Sequence, residues 1–196
     1  MRRRAAALAL GAALLSAAGP PGRCGERLPY TLALRIRFET ASPSASLADD
    51  AASSVLAELR AKGCFREVRL APAEGVPEAD VLLEMVLSEM QEEVRYEQSL
   101  AERAQPLDAE RAALGYVAVL SFQTSLALAA LPGGNVARTG DFHVSVERRP
   151  RIAGDDARAG ARMDALRDLA RKTRTTLCKG SASKLAGEIE AARRAP

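Results

Sequence analysis

Apolar and polar residues alternate with a period of two through several blocks of this chain, and recur every three to four residues in two others. Leu32, Leu34, Ile36 and Phe38 alternate with Ala33, Arg35, Arg37 and Glu39, the pattern of a strand with one face on a core. Leu47, Ala51, Val55 and Leu59 form a stripe at helical spacing. Ser46 stands as its cap, Asp49 and Asp50 lie in its first turn, and Gly63 holds the left-handed position that ends it. Phe65, Val68 and Leu70 make a short second strand that stops at Pro72. Val81, Leu83, Met85 and Leu87 make a third. The apolar phase then moves to Met90, Val94 and Tyr96, which predicts a bulge near Ser88 and Glu89. From Leu114 to Val146 the pattern is that of a long hairpin. Tyr116, Ala118, Leu120, Phe122, Leu126 and Leu128 share a face, Pro132 to Asn135 reverse the chain, and Phe142, Val144 and Val146 return along it. Met163, Leu166, Ala170, Thr173, Leu177, Leu185 and Ile189 step at helical intervals past Gly180 and predict one long closing helix, straight or kinked.

The order strand, helix, four strands, helix predicts an α+β fold (β-α-β-β-β-β-α). Its mixed or antiparallel sheet has four to five strands, with two helices packed on one face. That single domain occupies residues 30–194, with a polar insertion at the sheet rim over 97–113 that contains Pro106. Residues 1–18 read as a signal peptide: Arg2, Arg3 and Arg4 precede an apolar run, Ala5 to Leu15, that is too short to span a bilayer. Residues 19–29, with Pro20, Pro21 and Gly22, read as a tether.

The leader also changes the charge argument. The chain holds 28 Lys and Arg against 25 Asp and Glu, so its three arginines account for the whole excess and the exported chain is close to neutral. With 4% aromatic residues it offers no stacking platform for bases, and nucleic acid is not expected as a partner. The charge is nonetheless uneven. Glu78 to Glu110 is predominantly acidic and Arg148 to Lys179 predominantly basic, so one end of the domain is expected to be positive.

No motif adds up to an active site. Ser181-Ala-Ser-Lys184 matches a serine–lysine pattern of acyl-transfer enzymes but lacks its companion motifs. His143 is the sole histidine, which leaves neither a histidine-based zinc site nor a base with an orienting partner, and it is expected to face solvent. Gly133-Gly134 has no lysine and helix behind it and reads as a turn. Asp49-Asp50 and Glu92-Glu93 do not make a carboxylate dyad. The expectation is a protein that is not an enzyme and takes no cofactor and no metal. Two side-chain groups stand out. Cys64, at the end of the first helix, and Cys178, in the closing helix, are expected to form a disulfide in an exported chain, against the alternative of two buried thiols. Arg148, Arg149 and Arg151 leave the last strand together, and their planar guanidinium groups suit phosphate, so they are the candidate ligands for an anionic headgroup.

With Cys24-Gly25, the strand Leu32 to Phe38, the helix Leu47 to Gly63, the strand Ala79 to Val86, the hairpin Leu114 to Val146 and the helix Met163 to Ile189 in that order, the chain resembles small bacterial envelope lipoproteins. It is most similar in layout to the LptE-like family, outer-membrane lipoproteins that assemble the lipopolysaccharide translocon. The resemblance implies a one-sided α/β sandwich in the periplasm or on the periplasmic face of the outer membrane. Its expected role is an accessory one in lipopolysaccharide assembly or lipid transport, binding an anionic amphiphile or an envelope membrane protein. The same layout is similar to periplasmic modules that regulate envelope enzymes such as cell-wall synthases, which is the second reading. Lipid anchorage at Cys24 would follow from the family, but Pro21, Gly22 and Arg23 ahead of it depart from a lipobox, so a soluble exported protein is the alternative.

Overall fold

The computed structural model describes residues 27–39, 45–97, 115–150 and 155–196. The leader, Cys24 with most of the tether, the rim insertion after Glu97, and Arg151 lie outside them. The described chain runs β1 (Leu28–Phe38), α1 (Ala45–Lys62), β2 (Phe65–Leu70), β3 (Val81–Tyr96), β4 (Tyr116–Ala130), β5 (Val136–Arg148), α2 (Ala157–Leu177) and α3 (Ala182–Arg194). One five-stranded sheet has the order β2-β1-β3-β4-β5. β1 pairs in parallel with both β2 and β3, and the β3–β4 and β4–β5 pairs are antiparallel. The fold is α+β with a mixed sheet.

All three helices serve one face of it, because only one face carries the continuous apolar set. Leu32 and Leu34 of β1, Val81 to Leu87 at alternate positions of β3, and Ala118 to Ala130 at even positions of β4 are buried together with Val55 and Leu59 of α1, Leu169 and Leu177 of α2 and Leu185 and Ile189 of α3. The opposite face carries Glu84, Ser88, Ser121, Gln123, Ser125, Asp141, His143 and Ser145, the polar half of the same alternation. Between β2 and β3 the chain crosses β1 on this polar face. There Arg35, its side chain 10% exposed, donates to the carbonyls of Pro72 at 3.1 Å and Gly75 at 2.6 Å and pairs with Glu84 at 3.2 Å.

The phase shift in β3 has the expected cause. The β3–β4 register slips between Ser88 and Gln91, and Glu89 has φ 51°. The extra residue re-aims the strand, so Glu92 and Val94 continue the helix-facing side on which Leu87 ends.

Three local expectations are corrected. The closing segment is two helices: α2 stops at Leu177, Gly180 takes φ 93°, and Ser181 caps α3 by accepting a hydrogen bond from the Lys184 N–H. The helix layer therefore holds three helices where two were expected. Gly63 closes α1 without a left-handed backbone, and glycine is required there because a Cβ would run into the carbonyl oxygen of Leu59. Since α1 begins at Ala45, Ser46 lies inside the helix and is not its cap, and Asp49 and Asp50 fall in its second turn.

Among the described residues the core holds a hydroxyl without a partner. Thr124 lies between Leu87 and Phe142 on the helix-facing side, 1% exposed, and its hydroxyl has no hydrogen-bond partner. Thr124→Val keeps the shape and removes the stranded hydroxyl. It is expected to raise stability by about 1 kcal/mol, read as a higher urea midpoint at unchanged slope.

Candidate interaction site

The arginines expected to form an anion site separate in the structure. Arg148 is the register partner of Ala118 and so points toward the helix layer, where it pairs with Asp164 of α2 at 2.7 Å. Gly160 leaves the room for that reach, since a Cβ there would collide with the Arg148 side chain. Arg149 is held at the opposite side by Glu97 at 2.9 Å and Glu147 at 3.1 Å, and Arg95 reaches Glu147 at 2.8 Å to complete a four-charge cluster. Each described arginine is already paired with a carboxylate of this chain. This corrects the expectation that the group projects together from one rim; Arg151 lies outside the described residues.

The two cysteines do come together. Cys64 and Cys178 are bonded, with Cα atoms 5.7 Å apart across 114 residues of sequence, and the bond ties the ends of α1 and α2. A cavity of about 400 Å³ opens beside it, lined by Lys62, Gly63, Ser181 and Ser183. Ser181 spends its hydroxyl on the helix cap and lies 3.0 Å from the Ser183 hydroxyl, so the serine–lysine pattern is a helix start. His143 is exposed on the polar face of β5, as expected.

Sequence reading missed the group that seats α3. Arg138 sits on the core-facing side of β5, in phase with Phe142 and Val144, with a side chain 12% exposed. It donates to the carbonyls of Leu177 at 2.7 Å and Lys179 at 3.0 Å, the residues that end α2 and enter the break. Its other nitrogens bind Glu188 of α3 at 2.8 and 2.7 Å. A guanidinium on a core face must find partners there, which was the available signal. The far end of α3 is held similarly: Asn135 of the hairpin turn donates to the carbonyls of Ala192 and Ala195, and Tyr30 donates to Glu190 at 2.6 Å. That bond, made to a carboxylate, raises the Tyr30 phenol above its ordinary pKa.

The outer flank of α2 runs beside β5, the last strand of the sheet. Arg167 and Arg171 are 72% and 69% exposed in their side chains and pair with Asp164 and Asp168 one turn back. Lys172 joins Asp168 at 2.8 Å and donates to the backbone carbonyl of His143 at 2.7 Å. Burial would raise the Asp168 carboxyl, but the hydrogen bonds from Lys172 and Arg171 outweigh it and hold the group below the usual carboxylate range. At the other end of the sheet Tyr96 and Tyr116 stack edge-to-face, centroids 5.2 Å apart, both partly exposed. Among the described residues no group of histidine, cysteine and carboxylates is arranged to hold a metal, and no helix is long and apolar enough to cross a membrane.

No family model and no curated protein matches the chain. Solved structures match its fold. A neuraminyllactose-binding hemagglutinin homolog from Helicobacter pylori is 12% identical with a TM-score of 0.50, over 87% of this chain and 95% of that one. A DUF330-family protein from Xanthomonas campestris is 11% identical with a TM-score of 0.49, over 88% and 92%. A minor lipoprotein from Acinetobacter baumannii is 12% identical with a TM-score of 0.41, over 76% and 92%. Likeness at such identity is likeness of fold and carries no ligand or partner with it.

Proposed function

We propose that this protein is a non-enzymatic accessory of the bacterial cell envelope, of the lipopolysaccharide-assembly or lipid-transport type, that acts by holding an envelope membrane protein. The leader pattern of residues 1–18 supports export, and the Cys64–Cys178 bond fits an oxidising compartment. The observation that carries the reading is the one-sided sandwich itself: its helices serve one face, while the other, with Glu84, Ser121, Gln123, Ser125, His143 and Ser145, carries no helix among the described residues. A direct role in binding the anionic amphiphile ranks second, because Arg148 and Arg149 are already neutralised by Asp164, Glu97 and Glu147. Regulation of an envelope enzyme such as a cell-wall synthase uses the same kind of surface, and the identity of the captured protein separates the two.

The test is an affinity capture from detergent-solubilised envelope with the mature chain as bait, run beside binding to anionic micelles by wild type and by Arg148→Gln/Arg149→Gln/Arg151→Gln. Glutamine is chosen because a new carboxylate at 148 would face Asp164. The expected result is a membrane protein of an assembly or transport system on the resin, with micelle binding the same in both chains. A salt-dependent loss of micelle binding in the folded triple variant would return the lipid headgroup to first place.

A further inference from the structure

Backbone bonding around β4 determines which groups of β5 face outward. The Glu97 N–H bonds the carbonyl of Gly115 and the Leu131 N–H bonds that of Asp80, so odd-numbered residues of β4 turn their polar groups toward β3. The Ala130 N–H bonds the carbonyl of Asn135, so even-numbered residues turn toward β5, where the register pairs them with even-numbered partners from Arg148 to Arg138. The N–H and C=O groups of Thr139, Asp141, His143, Ser145 and Glu147 therefore point away from the sheet. Lys172 on the His143 carbonyl agrees, since a lysine 37% exposed reaches that oxygen from outside. β5 is 13 residues long and has no strand on its outer side among the described residues. The other edge, β2, is 6 residues long and offers less than half that length.

We propose that the outer edge of β5, from Thr139 to Glu147, takes up an extended segment of a partner protein as a sixth strand, and that this segment carries acidic side chains at alternate positions. Five residues offering a donor and an acceptor each make a main-chain template of about 30 Å at about 3.4 Å per residue. Charge selects the occupant. Side chains on the helix side of an added strand would lie along the outer flank of α2, in a groove lined by Ser145, Val146, Asp164, Arg167, Asp168 and Arg171. Lys172 joins Arg167 and Arg171 there, so three cations stand over Asp164 and Asp168, and Asp164 is already paired with Arg148. A second copy of this chain is the poorer fit: a two-fold pairing of β5 with itself brings each α2 flank, with Arg167, Arg171 and Lys172, against its own likeness. Lys172 guards the edge without closing it, because a carbonyl has two lone pairs and the ammonium can swing onto an incoming carboxylate.

This inference deepens the reading above and rests on it. The probe is a blocked peptide of about ten residues alternating threonine and glutamate, the length that spans the edge. Its controls are the same peptide with lysine for glutamate and one with alternate backbone nitrogens methylated. Wild type is expected to bind the first and to lose about tenfold or more with either control. Ser145→Pro deletes an outward N–H while leaving the bonds to β4, and is expected to lose as much while melting near wild type. Arg167→Gln/Arg171→Gln, two exposed positions, is expected to bind more weakly and to lose its salt dependence. Absence of binding by wild type, equal binding of the N-methylated peptide, or equal binding by folded Ser145→Pro overturns the proposal. Should Ser145→Pro not fold, the N-methylated peptide and the double glutamine variant decide. Capture of the same envelope protein by wild type and folded Ser145→Pro would sink the edge and leave the accessory function standing, whereas capture of nothing by wild type would sink that function.

Discussion

Replacing Cys64 and Cys178 together by alanine is expected to lower the stability of the domain by about 4 to 5 kcal/mol, with native-state strain subtracting from that figure. The magnitude follows from the separation of 114 residues, since the bond closes a long loop in the unfolded chain. The location adds to it: the bond joins the ends of α1 and α2, and the carbonyl of Cys64 also accepts from the Leu28 N–H at the start of β1. Urea unfolding of the oxidised wild type against the double alanine variant reads the difference. Thiol titration of the unreduced, denatured chain decides the bond itself, and two reactive thiols from these positions would refute it.

Arg138→Met is expected to cost about 3 kcal/mol, the range found when one partner of a largely buried ion pair is removed. The substitution keeps much of the side-chain volume but leaves Glu188 without its fork and the carbonyls of Leu177 and Lys179 without their donor. Local opening should precede global unfolding, so amide exchange is expected to quicken throughout α3 while the amides of β3 and β4 stay slow. Adding Glu188→Ala to Arg138→Met should recover part of the loss, because the stranded carboxylate is then gone. A single variant as stable as wild type would show that the two carbonyls and Glu188 are content with water.

Strand positions were legible because a half-buried strand writes its burial directly into alternate residues, and even the bulge left a trace in the move from Leu87 to Met90 and Val94. The break between α2 and α3 left a fainter one. Leu177, Leu185 and Ile189 keep helical spacing across it, so periodicity is blind to it, and only Gly180 followed by the capping Ser181 marks the stop and restart. The arginines misled for another reason. A run of like charges at a strand end looks solvated, but its partners come from Glu97 and Asp164, distant residues that the fold brings in. Arg138 has the strand phase of a core-facing position and the charge of a solvated one, and only the fold supplies the partners that reconcile the two.

The register also sets a reach. β1 and β3 run in parallel, Phe38 at the end of β1 lies beside Leu87, and β3 continues from there to Tyr96 with β4 alongside. From Val81, near the point where the chain enters β1, to Tyr96 is 16 residues of strand, about 50 Å at about 3.3 Å per residue if the bulge did not bend it. The described chain thus enters the domain at one end, and the Tyr96–Tyr116 pair stands on the long β3–β4 pairing at the other. A membrane attachment upstream would hold those two rings across a distance wider than the hydrocarbon core of a bilayer, about 30 Å.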